Sequence, residues 1–126
     1  MILADTNVII DFWRHPDDET AHIFATEDIA ICGIVKAELL HGARNTEDCR
    51  RILQALEEFP CLNMRETDWA ILGLHLQKLR THGATVPFQD AAIATLAIAH
   101  HVSVWTNDKH FERIKELLPE LQLYER

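Results

Sequence analysis

Four acids interrupt or border otherwise apolar segments of this chain: Asp5 in "MILADTNVIIDFW", Glu38 in "IVKAELLHGA", Asp90 in "FQDAAIATLAIAHH" and Asp108 in "SVWTNDKHFERI". Each has an ordinary explanation. Asp5 and Asp108 can cap the helices that follow them, Asp90 suits a helix N-cap or first turn, and Glu38 can be a solvated surface residue. Gathered together, they need more than that. Two unit charges about 4 Å apart repel by about 4 kcal/mol at an effective dielectric of 20. Only Lys36 and Lys109 lie as cations at the strand ends among these segments, too few to balance four carboxylates. Either some acids stay protonated or a divalent cation neutralises them. An all-oxygen ligand set favours a hard ion, Mg²⁺ or Mn²⁺, and such an ion suits phosphodiester hydrolysis, where it activates water and stabilises the departing oxygen.

The elements that must position these acids follow from the pattern of apolar runs. Met1 to Ala4 reads as a strand and Val8 to Trp13 as a short helix. "HPDDET" reads as a turn, with Thr20 capping a helix over 21–26. "IAICGIV" reads as a buried strand leading into the helix "KAELLHGA", which ends near Gly42. A helix begins at Thr46 and runs through Leu56 to Phe59, where Pro60 stops it. "CLNMR" is a further strand candidate. Thr67 opens an amphipathic run carrying Trp69, Leu72, Leu76 and Leu79 at helical spacing, closed by Gly83. Asp90 heads a helix apolar on nearly every side, "VSVWT" is a strand, "DKHFERIKELL" a helix and "LQLY" a last edge strand. Strands alternating with helices predict an α/β fold with a mainly parallel central sheet flanked by helices, one domain over residues 1–126. Ligands of such sheets bind beyond the carboxyl ends of the strands, where Asp5 and Asp108 fall.

Composition narrows the class. Hydrophobic residues make up 48% and charged residues 25%, as in ordinary globular proteins. Twelve basic against twenty acidic side chains give a net charge of −8, which disfavours polyanion binding through overall charge. A bound cation or a local basic patch can still reverse the sign at a site. The cysteines, Cys32, Cys49 and Cys61, have no CxxC spacing and read as buried thiols in a reducing compartment. There is no signal-peptide pattern, and "AAIATLAIA" is about half the length a bilayer span needs, so no membrane role and a cytoplasmic location are expected. Eight histidines invite zinc, but HExxH is absent and no Cys/His cluster has structural-zinc spacing. His110, beside Lys109, is the one that could touch a phosphate, though a surface helix position fits it better. Trp13, Trp69 and Trp105 occupy apolar-periodic positions and are expected in core or interface.

"ADTNVIIDFW", "IVKAELLHGA" and "FQDAAIATLAIAHHVSVWTNDKHF", in this order, resemble the three signature blocks of PIN-domain ribonucleases. The likeness spans the chain and is nearest to the VapC-type toxins of bacterial toxin–antitoxin pairs. It implies a three-layer PIN-like fold and Mg²⁺-dependent (or Mn²⁺-dependent) endonucleolytic RNA cleavage. Asp5, Glu38, Asp90 and Asp108 would be the catalytic, metal-gathering quartet, supported through hydrogen bonds by Thr6, Asn7 and Thr106. Asn7 stands where serine is common in the family, and Pro87 and Gln89 precede Asp90. The same likeness implies a small cognate antitoxin and a homodimer. The run "NVIIDFW" and the helix from Glu47 to Phe59 offer apolar surface that a partner could share. Candidate RNA contacts near the blocks are Lys36, Arg44, Arg50, Arg51, Lys109 and Arg113, of which Arg50 and Arg51 equally suit pairing with Glu47 or Asp48.

Two other readings use an acid after a first strand. A receiver domain needs a phosphoacceptor aspartate after its third strand, and here that stretch is the helix "CRRILQALEEF". An Asp-based phosphatase uses Asp-x-Asp, and here the third residue is Asn7. A non-catalytic α/β interaction module with the acids as caps is the remaining alternative, and it predicts no stabilisation by divalent ions.

Overall fold

A computed structural model describes all of residues 1–126. Five strands form a single sheet in the order β3-β2-β1-β4-β5: β1 (Ile2–Ala4), β2 (Ile29–Cys32), β3 (Cys61–Leu62), β4 (Ser103–Trp105) and β5 (Gln122–Leu123). Every pairing is parallel, so every connection is a crossover, and helices supply the crossovers. The helices are α1 (Thr6–Arg14), α2 (Asp18–Thr26), α3 (Gly33–His41), α4 (Thr46–Leu56), α5 (Glu66–Thr81), α6 (Phe88–His100) and α7 (His110–Leu117). One set, α1, α3 and α4, packs together, and another, α5, α6 and α7, packs together, with the sheet's central strands buried. The expected α/β architecture is borne out.

The core is one cluster of 28 buried residues. Its densest part is α6, in which every residue from Asp90 to Ala97 is buried. Small side chains at Ala91, Ala92, Ala94 and Ala97 let this helix approach its neighbours closely, as the all-round apolar pattern requires. An aromatic group ties α2 to the rest: Phe24 stacks on Phe12 at 5.0 Å and meets Trp105 at 5.1 Å.

Several boundaries differ from expectation, each for a local reason. The strand β2 stops at Cys32, and Gly33-Ile34-Val35 already form the first turn of α3, where helical spacing puts Val35 and Leu39 together on the buried face. Helix α1 starts at Thr6 rather than Val8 because Asp5 caps it. The "HPDDET" turn is shorter than expected. Asp17 caps α2, accepting from the Thr20 amide and hydroxyl at 2.8 Å each, so Thr20 lies inside the helix instead of capping it. Helix α4 ends at Leu56, and "CLNMR" pairs only through Cys61 and Leu62. Helix α6 begins at Phe88 behind Pro87, placing Asp90 in its first turn. Gly83, at φ 74°, follows the end of α5 in the left-handed conformation that glycine takes without strain. Of the tryptophans only Trp105 is buried, whereas Trp13 and Trp69 are exposed. Only Cys32 of the three thiols is buried; Cys61 is exposed at the edge of the sheet.

Candidate active site

The site is built where β1 and β4, side by side in the middle of the sheet, run out. Their register sets Ala4 against Trp105, so Asp5 and Thr106 leave the two strands as neighbours. The Asp5 carboxylate is held from both sides. Its Oδ1 accepts from the Thr6 amide at 2.8 Å, and its Oδ2 accepts from the Thr106 hydroxyl at 2.7 Å. The Thr106 hydroxyl in turn accepts from the Asp108 amide at 3.0 Å, which turns the chain after β4 back over the strand end. Asn7 fastens the same corner, accepting from the Asn107 amide at 3.1 Å while its own amide reaches the Thr106 hydroxyl at 3.5 Å. Thr6 uses its hydroxyl differently, donating to Glu38 Oε1 on α3 at 3.0 Å.

Asp90 enters from the first turn of α6, and its carboxylate meets Asp108 through a histidine. His110 Nδ1 lies 2.9 Å from Asp90 Oδ2 and 3.0 Å from Asp108 Oδ1. These three side chains offer ligand atoms within 4.8 Å of one another. The four acids from distant parts of the sequence therefore occupy one edge of the sheet. They are not equivalent there: Asp90 and Asp108 share a tight cluster with His110, while Asp5 and Glu38 are joined through Thr6. Both ordinary explanations also hold in part, since Asp5 caps α1 and Asp108 Oδ1 accepts from the His110 amide at 2.9 Å. Capping uses one oxygen of each and does not account for their convergence.

Electrostatics separate this group from the other acids. Burial pushes the Asp5 carboxyl above its ordinary range; the Thr106 and Thr6 hydrogen bonds oppose that, and the Asp108 charge adds to it. Burial likewise raises Asp90, with His110 opposing and Asp108 and Asp5 both adding repulsion. His110 is raised in turn, chiefly by its hydrogen bond to Asp90 and further by the Asp108 charge. It is the one basic side chain in contact with the cluster. The sequence carried a hint of this role, because His110 lies two residues after Asp108; its surface position on α7 masked it.

Of the basic residues near the motifs, most are engaged elsewhere. Arg44 and Arg51 bind Asp48 at 2.8 and 2.5 Å, Arg50 binds Glu47 at 3.0 Å, and Arg113 binds Glu116 at 2.7 Å. Lys36 and Lys109 are exposed and make no ion pair.

The family model of the PIN domain matches residues 2–117 of this chain. The chain belongs to the PIN domain family. Solved structures agree across nearly the full length. VapBC-1 from nontypeable Haemophilus influenzae is 26% identical with a TM-score of 0.84, covering 99% of this chain and 98% of that one. VapBC2 from Rickettsia felis, bound to a DNA fragment from their promoter, is 25% identical with a TM-score of 0.83 over 98% of both chains. FitAcB from Neisseria gonorrhoeae is 26% identical with a TM-score of 0.78, over 99% of this chain and 97% of that one. No curated protein sequence matches the chain. The PIN fold and the VapC-type likeness read from the three sequence blocks are thereby borne out.

Proposed function

We propose that this PIN domain, spanning residues 1–126, is a metal-dependent endoribonuclease and the toxin of a toxin–antitoxin pair. The observation that carries the reading is the meeting of two desolvated carboxylates, Asp5 and Asp90, with Asp108 beside them; burial first, and then the neighbouring charges, push Asp5 and Asp90 toward protonation. An arrangement that raises the cost of its own charges is a poor structural device and a good receptor for a divalent cation.

The donor set fits such an ion. Asp5, Asp90 and Asp108 would hold it, with Glu38 completing or orienting the shell; carboxylate oxygens favour Mg²⁺ or Mn²⁺. When bound, the ion supplies a nucleophilic water at neutral pH and charge stabilisation for the phosphoryl oxygens. The chain's own residues prepare the place. Thr106 and the Thr6 amide fix the rotamer of Asp5, Asn7 pins α1 to the turn after β4, and Thr6 orients Glu38. His110 bridges Asp90 and Asp108 through Nδ1, at the place where an incoming divalent ion would take over their oxygens. Lys36 and Lys109, free of intrachain ion pairs, are the candidates for phosphate contact.

Toxin–antitoxin complexes among the similar structures support a cognate antitoxin as partner and a homodimer as the assembly. No helix is long and apolar enough to cross a membrane, in keeping with a cytoplasmic enzyme.

The test is cleavage of labelled single-stranded RNA by the purified chain with Mg²⁺, with Mn²⁺ and with chelator, beside Asp5→Asn. Cleavage that requires the ion and disappears in the variant is expected. A variant cutting at the parental rate, or a parent indifferent to chelator, would overturn the assignment.

A further inference from the structure

Parallel sheets bind ligands beyond the carboxyl ends of their strands, and the acid cluster takes up only the part of that edge beyond β1 and β4. A second hollow, of about 240 Å³, opens at the same edge beyond β4 and β5. The turn after β4 walls it through Thr106, Asn107 and Asp108, the tail after β5 through Tyr124 and Glu125, and α7 through Glu112. Thr106 and Asp108 also build the acid cluster, so the two spaces are continuous. A molecule whose phosphate lies at the cluster has its next group at this hollow.

The walls are held in place by the fold. Tyr124 donates its backbone amide to the Val104 carbonyl at 2.8 Å, and its half-buried ring packs on Trp105 with centroids 5.6 Å apart at 60°. Leu123 extends this apolar wall. Asn107 donates its carboxamide to Asp11 at 2.9 Å and its backbone amide to Asn7 at 3.1 Å, which leaves its side-chain oxygen as a free acceptor. Glu112 and Glu125 are exposed, and neither is ion-paired within the chain. An aromatic wall facing a rim of acceptors matches an unpaired nucleobase, which is bound by its π-face and by its polar edge together. The volume falls just below the roughly 300–1,000 Å³ of drug-sized ligand pockets and suits a single base.

The charge of the rim narrows the base. Glu112 and Glu125 repel phosphate, and an ionised carboxylate accepts hydrogen bonds without donating any. Guanine alone of the four RNA bases sets two donors, N1–H and N2–H, side by side on its Watson–Crick edge, where two carboxylate oxygens can meet them. Lys109, next to Asp108 and also lining the hollow, is left for the phosphate that joins this base to the scissile bond.

We infer that the hollow between β4, β5 and α7 is a nucleobase subsite selecting guanosine beside the scissile phosphate, with Tyr124 carrying the ring and Glu112 reading its two donors. The inference rests on the ribonuclease reading above. It adds a sequence preference that the acid cluster has no means to impose, since contacts to phosphate carry no base information.

Single-stranded RNAs that differ only in the bases flanking one cut test it, compared by kcat/KM. The parent is expected to favour guanosine at one fixed position beside the bond by about fivefold or more, the lower end of what a bidentate base contact discriminates. Inosine at that position lacks the N2 amine and should lose most of the advantage. Glu112→Gln should shrink the difference between guanosine and inosine, a coupling of side chain to base that a general loss of structure does not produce. Tyr124→Leu should raise KM more than it lowers kcat, and Tyr124→Phe, which keeps the ring, should rescue KM. The Asp5→Asn chain should bind the uncut guanosine RNA more tightly than its inosine counterpart. A parent that cuts no RNA would overturn the nuclease reading and the subsite together. A parent that cuts without regard to the flanking base, or a guanosine–inosine difference undiminished in Glu112→Gln, would overturn the subsite alone.

Discussion

At the first turn of α4, Asp48 receives the Arg44 side chain at 2.8 Å, the Arg51 guanidinium at 2.5 Å and the Arg44 amide at 3.2 Å, and both arginines remain open to water. Those hydrogen bonds, Arg44 first, hold its carboxyl well below the usual range. At the carboxyl edge of the sheet, Asp5 and Asp90 are buried, no lysine or arginine reaches them, and both are pushed the other way. The same chain therefore solves one acidic site from its own side chains and leaves the other short of positive charge. The composition explains neither choice, because arginines are scarce against twenty acids and still three of them, Arg44, Arg50 and Arg51, gather at α4. An internally neutralised acid is a structural part. On the function proposed above, an acid group closed only by one exposed histidine is a receptor for a cation from outside.

The sharpest way to break this contrast is to supply that cation. Divalent ion at about 100 times its dissociation constant should stabilise the folded chain by about 2.7 kcal/mol, read as a rise in melting temperature. Asp90→Asn should remove most of that rise and weaken the ion's affinity by more than the roughly 10–100-fold typical of altering a supporting residue. In the metal-free protein the same variant should melt at or above the parental temperature, because it deletes a desolvated charge. Equal ion-induced shifts in parent and variant would mean that the cluster is not the receptor.

How far the site could be read in advance depended on which residues a strand end delivers. Asp5 and Asp108 were legible because a parallel sheet sends whatever follows its central strands to one edge, and β1 and β4 prove adjacent. Asp90 and Glu38 were visible only as acids at odds with apolar helices; their meeting depends on the packing of α6 and α3, which no local pattern encodes. The bridge made by His110 was the least legible part. It requires α7 to begin so that an exposed residue turns back over Asp108, and exposure is what a solvated histidine also shows. The boundaries that moved did so for separate local reasons, and one is instructive. At β2–α3 an unbroken apolar run hid the change of period at Gly33, since a buried strand and a buried first turn look alike in sequence. The exposure of Trp69 was similarly hidden, for helical spacing from Trp69 to Leu72 and Leu76 places the indole at the margin of the buried face rather than within it.

A pH titration of melting temperature, without divalent ion, sharpens the comparison through its sign. Asp5 and Asp90 have folded-state pKa values above the ordinary 3.8. The folded chain then binds protons more tightly than the unfolded one, so stability falls as pH rises from 3.8 through the raised values. His110, raised above 6.5, stabilises fully below that pH and loses its contribution as pH climbs through its folded value. Asp48 acts in the opposite sense: its lowered pKa contributes above 3.8 and is lost only as pH falls below it. The carboxyl edge should therefore make the metal-free protein lose stability on going from acid to neutral pH, and Asp5→Asn should flatten that slope in the acid limb. His110→Gln should flatten the limb above 6.5 and, by removing the group that opposes the rise at Asp90, leave the acid limb at least as steep. A slope unchanged in both variants would place the titrating groups elsewhere.

The smallest effect is expected at Asp48, and it is informative for that reason. Asp48→Asn breaks both arginine contacts but leaves an amide oxygen that can still accept a hydrogen bond. Exposed ion pairs contribute little, because water and salt screen them and long side chains lose entropy in forming them. The variant should lower the melting temperature slightly, by less at high salt than at low salt, and leave the ion-induced rise at its parental size. Cleavage should be unchanged, since Asp48 and its arginines lie at the start of α4, away from the carboxyl ends of β1 and β4. If cleavage instead fell while the ion-induced rise persisted, Arg44 and Arg51 would be holding substrate rather than simply neutralising Asp48, and the boundary drawn between the two acidic clusters would have to move.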